Sequence, residues 1–198
     1  PDLRRLLVSI VSSQAGIQTV IVLAAVFAQE ALGFGAQETI LMLFVVNITA
    51  AAGAFAFGSL QDRMGHRATL AASLVLWIIA IAVLATAGGR TGFWIAANLA
   101  GLALGATQSA GRALVGWLSP FDARAEFFGL WGLAVKAGSI IGPVAYGLTE
   151  YLAGNNHRLA MGVTALFFVS GLGLLAGLDT ARGRRRVNGT SPEARGTL

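Results

Sequence analysis

The chain has 198 residues, a formal net charge of +5 and no cysteine. Hydrophobic residues make up 56% of it and charged residues 12%, about half the charged share with which a water-soluble domain covers its surface, so a solvated globule is excluded. The absence of cysteine excludes disulfides, thiolate metal sites and cysteine nucleophiles, and 26 glycines against 4 prolines suit helices packed in lipid through small side chains.

Taken in chain order, six apolar stretches reach the roughly twenty residues that a helix needs to cross hydrocarbon, at about 6–29, 38–60, 68–88, 93–118, 127–149 and 158–178. The first is followed by five more and closes on no small-residue cleavage site, so it reads as a membrane helix and not as a leader. Residue 1 is Pro, which implies a region upstream. The expected fold is therefore all-α: a six-transmembrane-helix bundle over residues 1–178. Residues 179–198 hold no apolar run and read as a disordered basic tail.

Arginine placement orients the bundle. One set of connections collects Arg4, Arg5, Arg63, Arg67, Arg124, Arg182, Arg184, Arg185, Arg186 and Arg195, and the other only Arg90 and Arg158. A bias of ten to two places both termini in the cytoplasm, as an even number of crossings requires. The expected location is a cell membrane, of the bacterial inner-membrane kind, with the bilayer as partner. The tail arginines then act as orientation anchors, and no nucleic-acid partner is expected.

Polar side chains within a span point at protein or at an aqueous path. The first span carries Gln14 and Gln18, the second Asn47 and Thr49, the fourth Asn98, Gln108 and Arg112, and the fifth Lys136; the third and sixth offer little beyond Ser and Thr. Spans one, two, four and five thus form a wall with two outer braces. Such a wall encloses a solute route only against a partner, either an N-terminal six-helix half or a second copy of this chain.

The connection between spans two and three reads Gly58-Ser-Leu-Gln-Asp62-Arg63-Met-Gly65-His-Arg67. Gly58 permits close helix approach, Gly65 a tight turn, and Asp62 both a helix cap and pairing with Arg. This loop resembles the signature Gly-x-x-x-Asp-Arg-x-Gly-x-Arg of the major facilitator superfamily. Further runs are similar to the vacuole-effluxer subgroup linked to autophagy: Gly16-Ile-Gln18-Thr19, Ser109-Ala-Gly-Arg112, then Pro120 with Arg124 to Gly129, Lys136, and Gly142-Pro143. The similarity covers residues 6–183 in the register of that family's C-terminal six helices. It implies a transporter of a small polar, amino acid-like solute working by alternating access. One departure stands out: where the family's first helix of this half carries Tyr-x-Asp-Gly, this chain has Ser13-Gln14-Ala15-Gly16. Proton coupling through that position is not expected.

Lys136 is the chain's only lysine, and ten residues beyond Glu126 it lies about 15 Å into the membrane, the depth of transporter sites. Lys136, Gln14, Gln18, Asn47 and Gln108 are the expected solute-binding set. Arg112, near the cytoplasmic end of span four, is expected to join Asp62, Arg63, Arg67, Arg124 and Glu126 as gating charges, a role the resemblance implies for the loop. Gly138, Gly142 and Pro143 combine small-residue packing with a helix kink, and the resemblance places this run between halves; Gly101-x-x-x-Gly105 carries the packing reading alone. His66 and His157 fall on opposite sides of the membrane, no span holds paired carboxylates, and no metal or nucleophile constellation is present. The expectation is a transporter without catalysis or cofactor. The competing reading is a non-transporting membrane module or relic half that acts through a partner.

Overall fold

The computed structural model describes residues 2–30, 32–86, 89–152 and 157–177. Six long helices occupy them: α1 (Asp2–Glu30), α2 (Ala36–Met64), α3 (His66–Thr86), α4 (Gly89–Leu118), α5 (Arg124–Leu152) and α6 (His157–Ala176), with a 3-10 turn at Phe121–Ala123 before α5. The expected tail 179–198 lies outside the described residues. By length and apolar composition α1, α2, α3 and α5 are each able to cross a membrane, and α6 holds a shorter apolar stretch over Gly162–Ala176. α4 is as long as the first group, but carries Asn98, Gln108 and Arg112, and is buried along its length between α2 and α3.

The bundle is built from two close pairs, α2 with α4 and α1 with α5, braced by α3 against α4 and by α6 against α1 and α3. Glycines set both pair distances. A side chain at Gly101 or Gly105 of α4 would run into the α2 backbone at Val46 or Ala50, and one at Gly53 of α2 into Leu102 of α4. Gly138 and Gly142 of α5 stand in the same way against Val11 and Ala15 of α1. Two expectations are corrected here. Gly58 has no neighbour within 4 Å in this chain, and the close-approach role belongs to Gly53, one helical turn and a residue earlier. The α5 glycine row is spent on α1 inside the bundle, so it is not free to face another half.

Polar groups in the braces are absorbed locally. Trp77 of α3 donates its indole N–H to Thr107 of α4 (3.2 Å), the one Thr107 hydroxyl proton is shared between Ser73 Oγ (3.0 Å) and Ala103 O (2.7 Å), and the Trp77 ring stacks on Phe168 of α6 at 5.3 Å. Ser9 and Ser12 of α1 donate to the carbonyls of Gly171 and Phe167 on α6. Each hydroxyl thereby meets the requirement that buried polar groups be paired. The other end of the bundle closes on aromatic rings: Phe93 stacks on Phe27 and meets Phe34 edge-on, and Arg90 lies over Phe34 while pairing with Glu38 at 2.9 Å.

What remains bare is apolar. α2 exposes Ile40, Phe44, Ile48 and Phe55, and α5 exposes Leu133, Ile140, Val144 and Leu148. Such continuous faces belong in hydrocarbon or against another apolar surface.

Candidate solute groove and cytoplasmic loop

α1 presents Gln14 and Gln18, one turn apart, on the flank beside the Ala15 row that packs on α5. Gln14 is 3% exposed, its Cβ side lies against Gly138, and its Oε1 is buried with no hydrogen-bond partner. On α4, Gln108 sits between the Gly105 row that meets α2 and the Thr107 row that meets α3. Arg112, one turn further, places its guanidinium 5.8 Å from the Trp131 ring of α5. Helix spacing thus puts Gln14 and Gln18 on one flank of α1 and Gln108 and Arg112 on one flank of α4, with α5 meeting the first at Gly138 and the second at Trp131. Asn98 is half-buried on α4 and donates to Trp94 O at 2.8 Å, one turn back along its own helix.

The other two members of the expected set stand apart from these. Asn47 is exposed on α2 and donates to Leu43 O at 2.8 Å, a bond within its own helix. Lys136 is exposed on α5, about 160° around the helix from the Gly138 row that packs on α1. No hydrogen bond or ion pair joins its ammonium to another described residue. Pro143 lies inside α5, where it leaves the carbonyl one turn back without its helical donor.

At the α2–α3 loop the expected charge cluster is corrected. Among the described residues the ion pair is Arg90 with Glu38, at the opposite end. Arg67 donates to the Ala176 carbonyl of α6, Arg5 to Gly177 O at 2.8 Å, and Arg124 stacks over Phe121 at 4.0 Å. Asp62, Arg63 and Glu126 are exposed, where water screens them and weakens pairing. The expected Asp62 cap on α3 is absent too: Gly65 turns the chain at φ +82, and Gln61 bonds His66 through Nε2 and Nδ1. His66 also lies 5.0 Å from the Trp117 ring, and burial lowers its imidazole below the ordinary 6.5 against the opposing pull of Asp62. These groups line an open hollow of about 880 Å³ with Arg67, Leu172 and Leu175. Arg67 and Arg5 thus pin the end of α6, a role in chain closure that loop spacing did not signal.

A second cavity, of about 390 Å³, lies at the Arg90 end of the bundle. Val20, Ala24 and Phe27 of α1, Ile81 and Leu84 of α3, and Ala97 of α4 form its walls, with Glu30, Tyr146, Glu150 and Thr164 at the polar positions. None of the expected solute residues reaches it. Its walls are mainly apolar and its carboxylates fall just outside the expected spans, so sorting polar residues within spans did not find it.

The family model described as "Vacuole effluxer Atg22 like" matches residues 1–188. The MFS-type transporter YxiO of Bacillus subtilis is 27% identical over 161 residues, covering 81% of this chain and 37% of that protein. Autophagy-related protein 22 of Yarrowia lipolytica is 27% identical over 185 residues, covering 87% of this chain and 31% of that protein. The class C tetracycline resistance protein of Escherichia coli is 32% identical over 133 residues, covering 65% and 32%. The chain spans about a third of the length of these curated relatives.

Proposed function

The chain belongs to the Atg22-like vacuole effluxer family, and on that premise we propose that it forms the C-terminal six-helix half of a membrane transporter that moves a small polar, amino acid-like solute by alternating access. The observation that carries this reading is the buried, unpaired amide of Gln14 on α1, with Gln18 one turn further, and with Gln108 and Arg112 one turn apart on α4. α2 and α5 leave bare apolar faces that another six-helix bundle would cover. Amide and guanidinium groups there offer donors and acceptors to a solute that has left water, and the glycine-set pairs give a stiff wall for one bundle to rock against. The amino acid-like class and the cell-membrane location follow the family resemblance, while the arginine bias supports the orientation with both termini cytoplasmic.

The test is uptake by the complete transporter in sealed vesicles, against a panel of amino acids, with and without an imposed pH gradient. Saturable flux of at least one panel member, reduced by Gln108→Ala, is the expected result. Wild-type vesicles that accumulate none of the panel above protein-free controls would remove the amino acid-like reading. With Ala15 at the position where the family has Asp, flux that does not depend on a proton-accepting group in α1 is expected.

A further inference from the structure

We propose that Lys136 anchors a carboxylate that no described residue of this chain supplies, carried either by the transported solute or by an acidic side chain of the bundle that faces α5. The first source rests on the transport reading above; the second does not.

Lys136 is the only lysine among 198 residues and lies in the middle of α5, ten residues after Glu126 and fourteen before Glu150. At 1.5 Å per residue it is about 15 Å from the first and about 21 Å from the second along the helix. Among the described residues no other acidic residue sits nearer mid-membrane. Asp2 and Glu30 begin and end α1, Glu38 and Asp62 lie within three residues of the ends of α2, Asp122 is in the turn before α5, and Asp179 and Glu193 follow α6.

The neighbours of Lys136 on its own stripe, Leu133 and Ile140, are exposed and apolar, so the ammonium stands alone on an oily face. An uncompensated cation at that depth is costly, yet its long stem cannot carry it to either interface from mid-helix. Nor can amides replace the missing charge: Asn47 is spent on Leu43 O, and Gln14 is turned to the far side of α5 at Gly138. A carboxylate pairs with an ammonium through charge-assisted hydrogen bonds, and it meets both needs at once.

The experiment uses the complete transporter in proteoliposomes and in detergent. In the first arm, phenylalanine uptake is inhibited by phenylpropionate, which keeps the carboxylate and lacks the amine, or by phenethylamine, which keeps the amine alone. If the solute is the source, phenylpropionate inhibits the wild type and phenethylamine does not, and Lys136→Gln weakens phenylpropionate by about tenfold or more while Lys136→Arg restores much of it. In the second arm, thermal stability is read without solute. If a facing side chain is the source, Lys136→Gln and Lys136→Met lower the melting temperature, Lys136→Arg restores it, and phenylpropionate inhibition stays as in the wild type. Wild-type values for Lys136→Gln and Lys136→Met in both arms would overturn the proposal. A wild type that transports nothing would end the first source with the transport reading and leave the second arm to decide.

Discussion

Gln14 is the residue whose environment says most about its purpose. It is buried to 3% exposure with Oε1 unpaired, and an unsatisfied buried polar group costs about 1–3 kcal/mol. Gln14→Met, of similar shape, is therefore expected to raise the thermal stability of the transporter by about 1 kcal/mol while lowering solute flux. A melting temperature that falls instead would show that the amide is bonded within the bundle and has no part in solute contact. His66 gives a second prediction, because burial lowers its imidazole below 6.5 and Gln61 Nε2 donates to a neutral Nδ1. As pH falls below about 6.5 the unfolded chain takes up the proton first, so the packing of the α2–α3 turn contributes less stability with acidification and is fully present above that range. NMR of histidine-labelled transporter, with the signal assigned through His66→Asn, should give a midpoint below 6.5; a midpoint at or above it would contradict the buried, neutral ring.

Helix pairing turns on which glycines are occupied by a neighbour, and two on α5 separate the cases. A Cβ at Gly142 meets the carbonyl of Ala15 and Thr19 Oγ1, whereas one at Gly147 meets nothing within 4 Å. Gly142→Ala is expected to destabilise by about 1–3 kcal/mol through overpacking of the α1–α5 joint. Gly147→Ala is expected to be neutral or to stabilise by up to about 1 kcal/mol, since it only removes backbone freedom from a helix. Equal melting temperatures for the two variants in detergent would mean that α1 and α5 do not meet along this row. The same contrast shows what was legible beforehand. Apolar run length located all six helices, and the Gly101-x-x-x-Gly105 spacing marked a real contact, because both signals are local and periodic. A Cβ at Gly58 meets nothing within 4 Å, whereas the expected packing of Gly138 and Gly142 is met by α1 rather than by another half, since spacing shows that a helix can be approached closely but not by which partner. The loop charges were grouped by proximity in sequence, but Arg67 and Arg124 found a carbonyl and an aromatic ring nearer than any carboxylate. Of the expected solute residues, Asn47 satisfied itself within α2, which amide content alone does not reveal.

At the scale of the whole molecule, exposure alone does not separate a surface that meets lipid from one that meets water or a second bundle. Ile79 of α3 and Leu166 of α6 are as bare as Lys136 of α5, yet the braces on which they stand carry no ionisable group in mid-span, and α5 does. The chain has no cysteine, so single cysteines in this half can be read without background from it once any others in the complete transporter are removed. A membrane-impermeant, charged thiol reagent reacts with the thiolate, which forms only where water reaches. Gln108→Cys and Lys136→Cys are therefore expected to be modified in intact vesicles at least about tenfold faster than Ile79→Cys and Leu166→Cys. Solute added at saturating concentration should slow the first pair and leave the second unchanged. Fast labelling at Ile79 and Leu166 with protection at Gln108 and Lys136 absent would place the water route on the α3–α6 side, and the division of the bundle into inner wall and outer braces would fall. Labelling at Gln108 without labelling at Lys136 would keep the groove along α1 and α4 and turn the α5 face to a dry joint with the facing bundle, in which the ammonium is met by a protein carboxylate.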